Sequence, residues 1–332
     1  MTADKPRVFV SRKIPDAGLE PLRRRCDVTM WPHERPPTAD ELIAACRGMD
    51  ALVCLLTEKI DAGVLAAAPT LKIVANVAVG FDNLDIDAGT AAGVIMTNTP
   101  GVLDDTTADL AFALLMAAAR RLPEGDRLVR SGRWDGWGIM QLLGHDVHHG
   151  RLGIVGFGRI GRGVARRARG FEMKVSYHDA QRVPADVERE FGATYLPFEE
   201  LLAESDFVSV HVPLTPETHH LIDRRALKRM KPTAVLINTS RGPVIDESAL
   251  VDALRERVIA AAGLDVYEHE PKLAAGLADV PNVVLLPHIG SASFATRGKM
   301  AQIAAENVIA LFDGKTPPTA LNPQVLASQR PS

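Results

Sequence analysis

Short apolar runs alternate with longer stretches in which apolar residues recur every three or four positions, and the alternation continues through nearly the whole chain. Runs of four or five suit buried strands, and the longer period suits helices with one covered face. The pattern therefore predicts an α/β protein whose parallel sheets are covered by helices. In the first hundred residues strands are expected near 7–10, 27–30, 51–55, 73–76 and 94–96. Between them "TADELIAACRG" reads as a helix with Thr38 as its amino-terminal cap. "TNTPG" at 97–101 interrupts the alternation, and "DDTTADLAFALLMAAARRL" then predicts one long helix over 104–121, with Asp104 and Asp105 suited to its positive end. A Gly/Trp-rich loop, "SGRWDGWGIMQLLG", follows at 131–144. A second α/β series begins at 151, with strands expected near 151–155, 174–178, 207–211, 234–238, 261–265 and 283–286. A last long helix covers roughly 292–313, and there are no short repeats or low-complexity tracts.

Composition narrows the class. A chain of 332 residues, 46% hydrophobic and 24% charged, suggests about two soluble domains with a large core. The net charge of −3 with no basic run leaves no electrostatic footprint for nucleic acid. The longest apolar run, "LAFALLMAAA" at 110–119, is too short to span a bilayer and ends in Arg120 and Arg121, so no membrane is expected as a partner. The start, "MTADKPRVFV", lacks the long apolar core of a signal peptide. Three cysteines, Cys26, Cys46 and Cys54, form no C-x-x-C pair and read as reduced thiols, which places the expected location in the cytoplasm.

"LGIVGFGRIGRGVARRARG" begins as a strand, turns on Gly156, Gly158 and Gly161, and continues as a helix. The first glycine permits a tight turn, the second lets a pyrophosphate approach the backbone, and the third allows helix and strand to pack closely. Such a motif alone is weak evidence. Here "MKVSYHD" also delivers Asp179, eighteen residues beyond Gly161, where a carboxylate can hold the adenosine ribose hydroxyls. Arg159 and Arg162 sit in the first helical turn, where cations oppose the helix dipole unless an anion binds there.

Ligands of open α/β sheets bind beyond the carboxyl ends of the strands. Arg241 follows "AVLIN", Glu270 follows "AAAGLDV", and His288 follows "NVVLL". Taken singly, an arginine or glutamate past a strand is ordinarily solvated, and a lone histidine ordinarily packs or faces water. As a trio on the sheet edge that carries a dinucleotide loop, they offer an anion clamp, a neutral-range acid/base and a carboxylate to orient it.

The series "ANVAVGFDNLD", "TNTPGVLDDTTADLAFALLMA", "LGIVGFGRIG", "VHVPLTPETHHLI", "LINTSRGPVID", "AGLDVYEHEP" and "LPHIGSAS" resembles the NAD(P)-dependent D-2-hydroxyacid dehydrogenases, from about residue 7 to 323. Within that family the chain is most similar to the glyoxylate/hydroxypyruvate reductases, through "LLTEKID", "RSGRWDGW" and "HIGSASFATRGKMA". The resemblance implies two flavodoxin/Rossmann-like parallel-sheet domains with the active site in the cleft between them. Residues 1–98 plus 289–332 would form the substrate domain and 99–288 the dinucleotide-binding domain. It implies Arg241 on the substrate carboxylate, His288 as acid/base and Glu270 as its partner. Cofactor contacts would come from Gly158, Arg159, Ile160 and Gly161, then Asp179, with His211 and Pro213 beside the adenosine. Thr107 would lie near the phosphates, Asn238, Thr239 and Ser240 would precede Arg241, Asp265 would meet the carboxamide, and Gly290 would complete the set. Val79 and Gly80 in "VAVG" would offer backbone N–H groups to the substrate carboxylate. The helix at 104–121 would lie in a homodimer interface, with Trp134 or Trp137 reaching towards the partner's active site.

These positions predict reduction of a small 2-oxo acid, glyoxylate or hydroxypyruvate, to the 2-hydroxy acid. NAD(H) is preferred through Asp179, while NADP(H) stays possible because Arg182 could swing towards a 2′-phosphate. Leu55 and Leu56, beyond the third strand, suit a hydrogen or hydroxymethyl group and offer nothing to a phosphate. That counts against phosphoglycerate dehydrogenase, as does a chain ending at 332 with no room for a regulatory domain. A dinucleotide-sensing corepressor is the reading from another class, against which the intact trio argues. His145, His148 and His149 could hold a metal if their segment were helical, but no metal is expected.

Overall fold

The computed structural model describes residues 5–328. They form two compact units, one from the described residues up to Leu103 with those from Ala292 onward, the other from Asp104–Ser291.

The first unit is built on β1 (Arg7–Val10), β2 (Asp27–Met30), β3 (Ala51–Cys54), β4 (Ile73–Asn76) and β5 (Ile95–Thr97). All pair in parallel, in the order β2-β1-β3-β4-β5. β3 and β4 are buried along their whole length, as their unbroken apolar runs require of a sheet covered on both faces. The helix Ala39–Cys46 starts at Thr38 with a reciprocal capping box: Glu41 N–H donates to Thr38 Oγ1 and Thr38 N–H to the Glu41 carboxylate. Helix Asp16–Arg25 lies so close to helix Phe294–Phe312 that a Cβ on Gly18 would sit 2.8 Å from Ala301 Cβ.

The second unit carries β6 (Arg151–Val155), β7 (Lys174–His178), β8 (Ala193–Tyr195), β9 (Phe207–Val210), β10 (Val235–Asn238), β11 (Ala261–Leu264) and β12 (Val283–Leu285). Their order is β12-β11-β10-β9-β6-β7-β8, again parallel, so the chain reverses direction across the sheet between β6 and β9. Successive residues point to opposite faces: Leu236 joins one core with Val208, Leu250 and Leu264, while Val235 and Ile237 join the other with Leu114, Leu152 and Val164. Each such side chain contributes about 1.5–3 kcal/mol on burial.

Two elements differ from expectation. β8 has three residues, one of them buried, and pairs only with β7, too short a signal for periodicity to show. The predicted helix over 104–121 ends at Ala119, Arg121 takes a left-handed φ of 53°, and a separate helix runs over Leu122–Arg130. Pro123 lacks the N–H that a continuing helix needs. Among the described residues no helix is long and apolar enough to cross a membrane.

Candidate active site

The glycine loop shows three glycines with three different constraints. Gly156 has a φ of 94°, and a Cβ there would lie 2.7 Å from the His211 carbonyl carbon, in the segment that follows β9. A Cβ on Gly161 would overlap the Gly156 carbonyl oxygen, so this residue sets the closeness of helix and strand. Around Gly158 a Cβ would meet nothing within 4 Å. The open space faces the first turn of helix Arg159–Ala168, whose amino terminus has no side-chain cap. The backbone N–H groups of that turn and the room beside Gly158 fit a pyrophosphate.

Asp179 ends the segment after β7 and accepts a hydrogen bond from Phe157 N–H at 2.7 Å through Oδ2, which ties the acid to the glycine loop. Arg182 is held by Glu188 at 2.8 and 2.9 Å, and Glu188 also accepts from the Tyr177 hydroxyl. Arg159 pairs with Asp104 at 2.9 Å. Ile160 packs at the edge of the core beneath the helix. His211 keeps some accessible surface, yet enough of the chain surrounds its ring that burial lowers its pKa to about 3; Ser209 Oγ lies 2.8 Å from its Nε2. The Pro213 carbonyl accepts from Thr218 Oγ1.

After β10, Asn238 shapes the turn to Arg241. Its Oδ1 accepts from Ser240 N–H and Oγ, and its Nδ2 donates to the Arg241 carbonyl at 2.9 Å. Among the described residues, buried Thr239 Oγ1 has no hydrogen-bond partner. Arg241 Nη1 donates to the Ser240 carbonyl at 2.8 Å.

The loops after β11 and β12 bring Glu270 and His288 together, with Glu270 Oε2 2.9 Å from His288 Nδ1. Burial works against ionisation of Glu270. The hydrogen bond and charge of His288, the Tyr267 N–H and the Arg241 charge outweigh it and hold the carboxyl below its ordinary range. The loop bearing His288 is pinned by Asp265, which accepts from Ile289 N–H and Gly290 N–H at 2.7 Å each, and by the Tyr267 hydroxyl on the Leu286 carbonyl. Burial raises the pKa of Asp265 in spite of those donors and the nearby His288. Thr107 Oγ1 donates to the Gly290 carbonyl. Arg241, Glu270 and His288 thus share one edge of one sheet, with His288 Nε2 left for another partner. A surface cavity lined by residues such as Arg121, His145, Arg257 and Asn282 lies at the amino-terminal edge of the sheet instead.

Sequence reasoning missed the supports. A Cβ on Gly242 would overlap the Tyr267 carbonyl, so only glycine lets the Arg241 segment lie against the one carrying Glu270. Glu247, buried, accepts from the N–H groups of Glu268 and Ala274 and braces the same loop. Glu247 at the start of its helix and Gly242 after Arg241 are visible in the sequence, but nothing local marks their partners.

In the first unit, Leu56 follows β3 in a turn held by buried Glu58, which accepts from Leu55 N–H at 2.7 Å and Ser11 Oγ at 2.6 Å. Val79 and Gly80 follow β4. Their carbonyls accept from Asn98 and Asn76, and among the described residues their N–H groups show no acceptor. His145, His148 and His149 do not gather into a possible metal cluster among the described residues; His149 faces Glu172 at 3.2 Å.

Residues 112–290 match the family model described as D-isomer specific 2-hydroxyacid dehydrogenase, NAD binding domain. A glyoxylate reductase of Korarchaeum cryptofilum is 53% identical over 329 residues, covering 98% of this chain and 99% of that protein. A crystal structure of a Thermus thermophilus protein superposes with a TM-score of 0.89 at 43% identity, covering 95% of this chain and 99% of that one. An NADPH-dependent glyoxylate/hydroxypyruvate reductase of Sinorhizobium meliloti, solved with NADP and malonate, superposes with a TM-score of 0.85 at 34% identity, covering 96% and 98%.

Proposed function

The chain belongs to the D-isomer specific 2-hydroxyacid dehydrogenases, and on that premise we propose that it reduces glyoxylate, and hydroxypyruvate as a related substrate, to the 2-hydroxy acid with NADH preferred. As a member of that family it uses a nicotinamide dinucleotide. The observation that carries the proposal is the Glu270–His288 pair beside Arg241 on the sheet edge that also bears the glycine loop.

The dinucleotide, when bound, supplies the hydride that reaches C2 of the 2-oxo acid. Glu270 takes His288 Nδ1 and stabilises the imidazolium, which leaves Nε2 to donate a proton to the carbonyl oxygen. Arg241 offers a planar fork to the substrate carboxylate. In the first unit the N–H groups of Val79 and Gly80 are further proposed donors to a carboxylate, and Leu56 is the proposed apolar neighbour of the hydrogen or hydroxymethyl group on C2. Asp265 holds the turn after His288, and each of its oxygens retains a lone pair for a carboxamide. The room at Gly158, with Arg159, Ile160 and Thr107 around it, supports the pyrophosphate assignment, and Asp179 with His211 and Pro213 supports the adenosine one.

NADH is favoured because Asp179 directs a carboxylate where a 2′-phosphate would sit, and Arg182, a nearby cation suited to that phosphate, is committed to Glu188. Buried, unpaired Cys26, Cys46 and Cys54 support a reducing cytoplasm, Cys46 being pushed up to about 12 by burial. A homodimer is supported by the apolar surface of the segment 122–143.

The test is NADH oxidation with glyoxylate, hydroxypyruvate and phosphohydroxypyruvate. The first two should turn over with the higher kcat/KM. Preference for the phosphorylated acid, or no turnover on any of the three, would overturn the reading.

A further inference from the structure

Two histidines and a glutamate that the dehydrogenase reading leaves unused come together behind the Arg241 segment. His219 and His220 lie in the turn after β9, Glu268 in the loop after β11. The two rings stack with centroids 4.1 Å apart and planes 29° from parallel. Glu268 Oε1 is 2.8 Å from His220 Nε2. One ligand atom from each of the three residues lies within 4.8 Å of the others.

Both segments are anchored independently of these side chains. The His220 N–H donates to the Pro243 carbonyl at 2.8 Å, and Ile222 N–H to the Val244 carbonyl at 3.0 Å, stitching the histidine turn to the residues after Arg241. Glu268 N–H donates to Glu247 Oε1 at 2.7 Å. His220 and Glu268 are half-buried and fixed, whereas His219 is exposed and its side chain can turn.

We propose that His219, His220 and Glu268 form a site for one borderline divalent transition-metal ion, Zn²⁺ foremost. Two imidazole nitrogens and one carboxylate oxygen are the donors such ions choose, at bond lengths of about 2.0–2.2 Å. Rotation of the His219 side chain closes the distance, and three protein ligands leave a coordination position for water. An ion pair between His220 and Glu268 alone needs no second ring. The stacked His219 supplies the third donor that separates a metal site from a bridge. Bound metal would cross-link the turn after β9 to the loop that, two residues past Glu268, carries Glu270.

The test uses full-length, untagged protein freed of metal by chelation and dialysis. Titration calorimetry with Zn²⁺, visible absorption with Co²⁺ and thermal unfolding with and without Zn²⁺ are measured for the parent, His219→Ala, Glu268→Gln and, as a control, His148→Ala. The parent should bind one ion per chain, show a ligand-field band with Co²⁺ and melt at a higher temperature with Zn²⁺. His219→Ala, at an exposed position where folding is not at risk, should weaken binding by at least the about 10–100-fold typical of removing even a supporting group. Glu268→Gln should do the same, and His148→Ala should match the parent. No stoichiometric binding by the parent, equal binding by His219→Ala, or loss in His148→Ala would overturn the site.

Discussion

His288 takes a left-handed backbone, with a φ of 54°, and presents Nδ1 to Glu270 at 2.9 Å. A backbone in that region is uncommon for a residue with a side chain, and here Asp265 holds the next two N–H groups to keep it. Replacing the positioned acid by His288→Ala should lower kcat by about 10²–10⁴-fold while dinucleotide binding persists. A kcat equal to the parent's would remove His288 from the chemistry. Asp179 should set the coenzyme ratio: Asp179→Ser is expected to raise kcat/KM with NADPH and lower it with NADH, since like charges at close range repel by about a few kcal/mol at an effective dielectric near 20. A variant that gains nothing with NADPH would refute this. His211 gives a pH signature of folding. Its ordinary pKa is 6.5, whereas burial holds it at about 3 in the fold, so between those values the unfolded chain binds the extra proton. Stability should therefore fall as pH drops from 6.5 towards 3, and urea unfolding of His211→Gln should show a shallower fall. An identical slope would show that His211 is not responsible. Glu270 acts in the same direction at lower pH: its depressed carboxyl contributes stability above the ordinary value, lost as pH falls through the folded one.

At the scale of elements, the strand–turn–helix from β6 to helix Arg159–Ala168 separates binding from folding. A Cβ on Gly158 meets open space, but one on Gly161 meets the Gly156 carbonyl. Gly158→Ala should thus leave the melting temperature near the parent's while weakening NADH binding in a direct titration. Gly161→Ala should destabilise by about 1–3 kcal/mol, the usual cost of forcing atoms into a packed place. If both variants lost only stability, or neither lost affinity, the open space at Gly158 would not be the pyrophosphate's.

At the scale of the whole molecule, apolar surface is uneven. Helix Asp104–Ala119 buries Ala108, Ala111, Phe112, Leu114 and Leu115 within its own unit, while Trp137 is 80% exposed, Met140 74% and Ile139 71%. Contiguous exposed apolar residues of this kind mark an interaction surface, so a second copy of the chain is expected to cover the segment 122–143. Sedimentation should give a dimer for the parent and a shift towards monomer for a Trp137→Asp, Ile139→Asp double variant. A parent that sediments as a monomer at micromolar concentration would remove the dimer.

The sequence by itself determined what short-range physics controls. Short apolar runs located eleven of the described strands to within a residue or so, and turn chemistry located the glycine loop. Arg241, Glu270 and His288 were legible as candidates because each lies within a few residues of a strand's end, and parallel strands deliver their carboxyl ends to one edge. What only the tertiary structure decided are the pairings between segments distant along the chain. Gly242 against Tyr267, Glu247 under the Glu268 loop, and His219 and His220 facing Glu268 belong to this class. β8 escaped for a related reason, being held by β7 and not by its own three residues. Local preference sets which way a side chain points from its own backbone. Which backbone it then meets depends on the order in which the crossovers lay strands side by side, and no window of sequence contains that order.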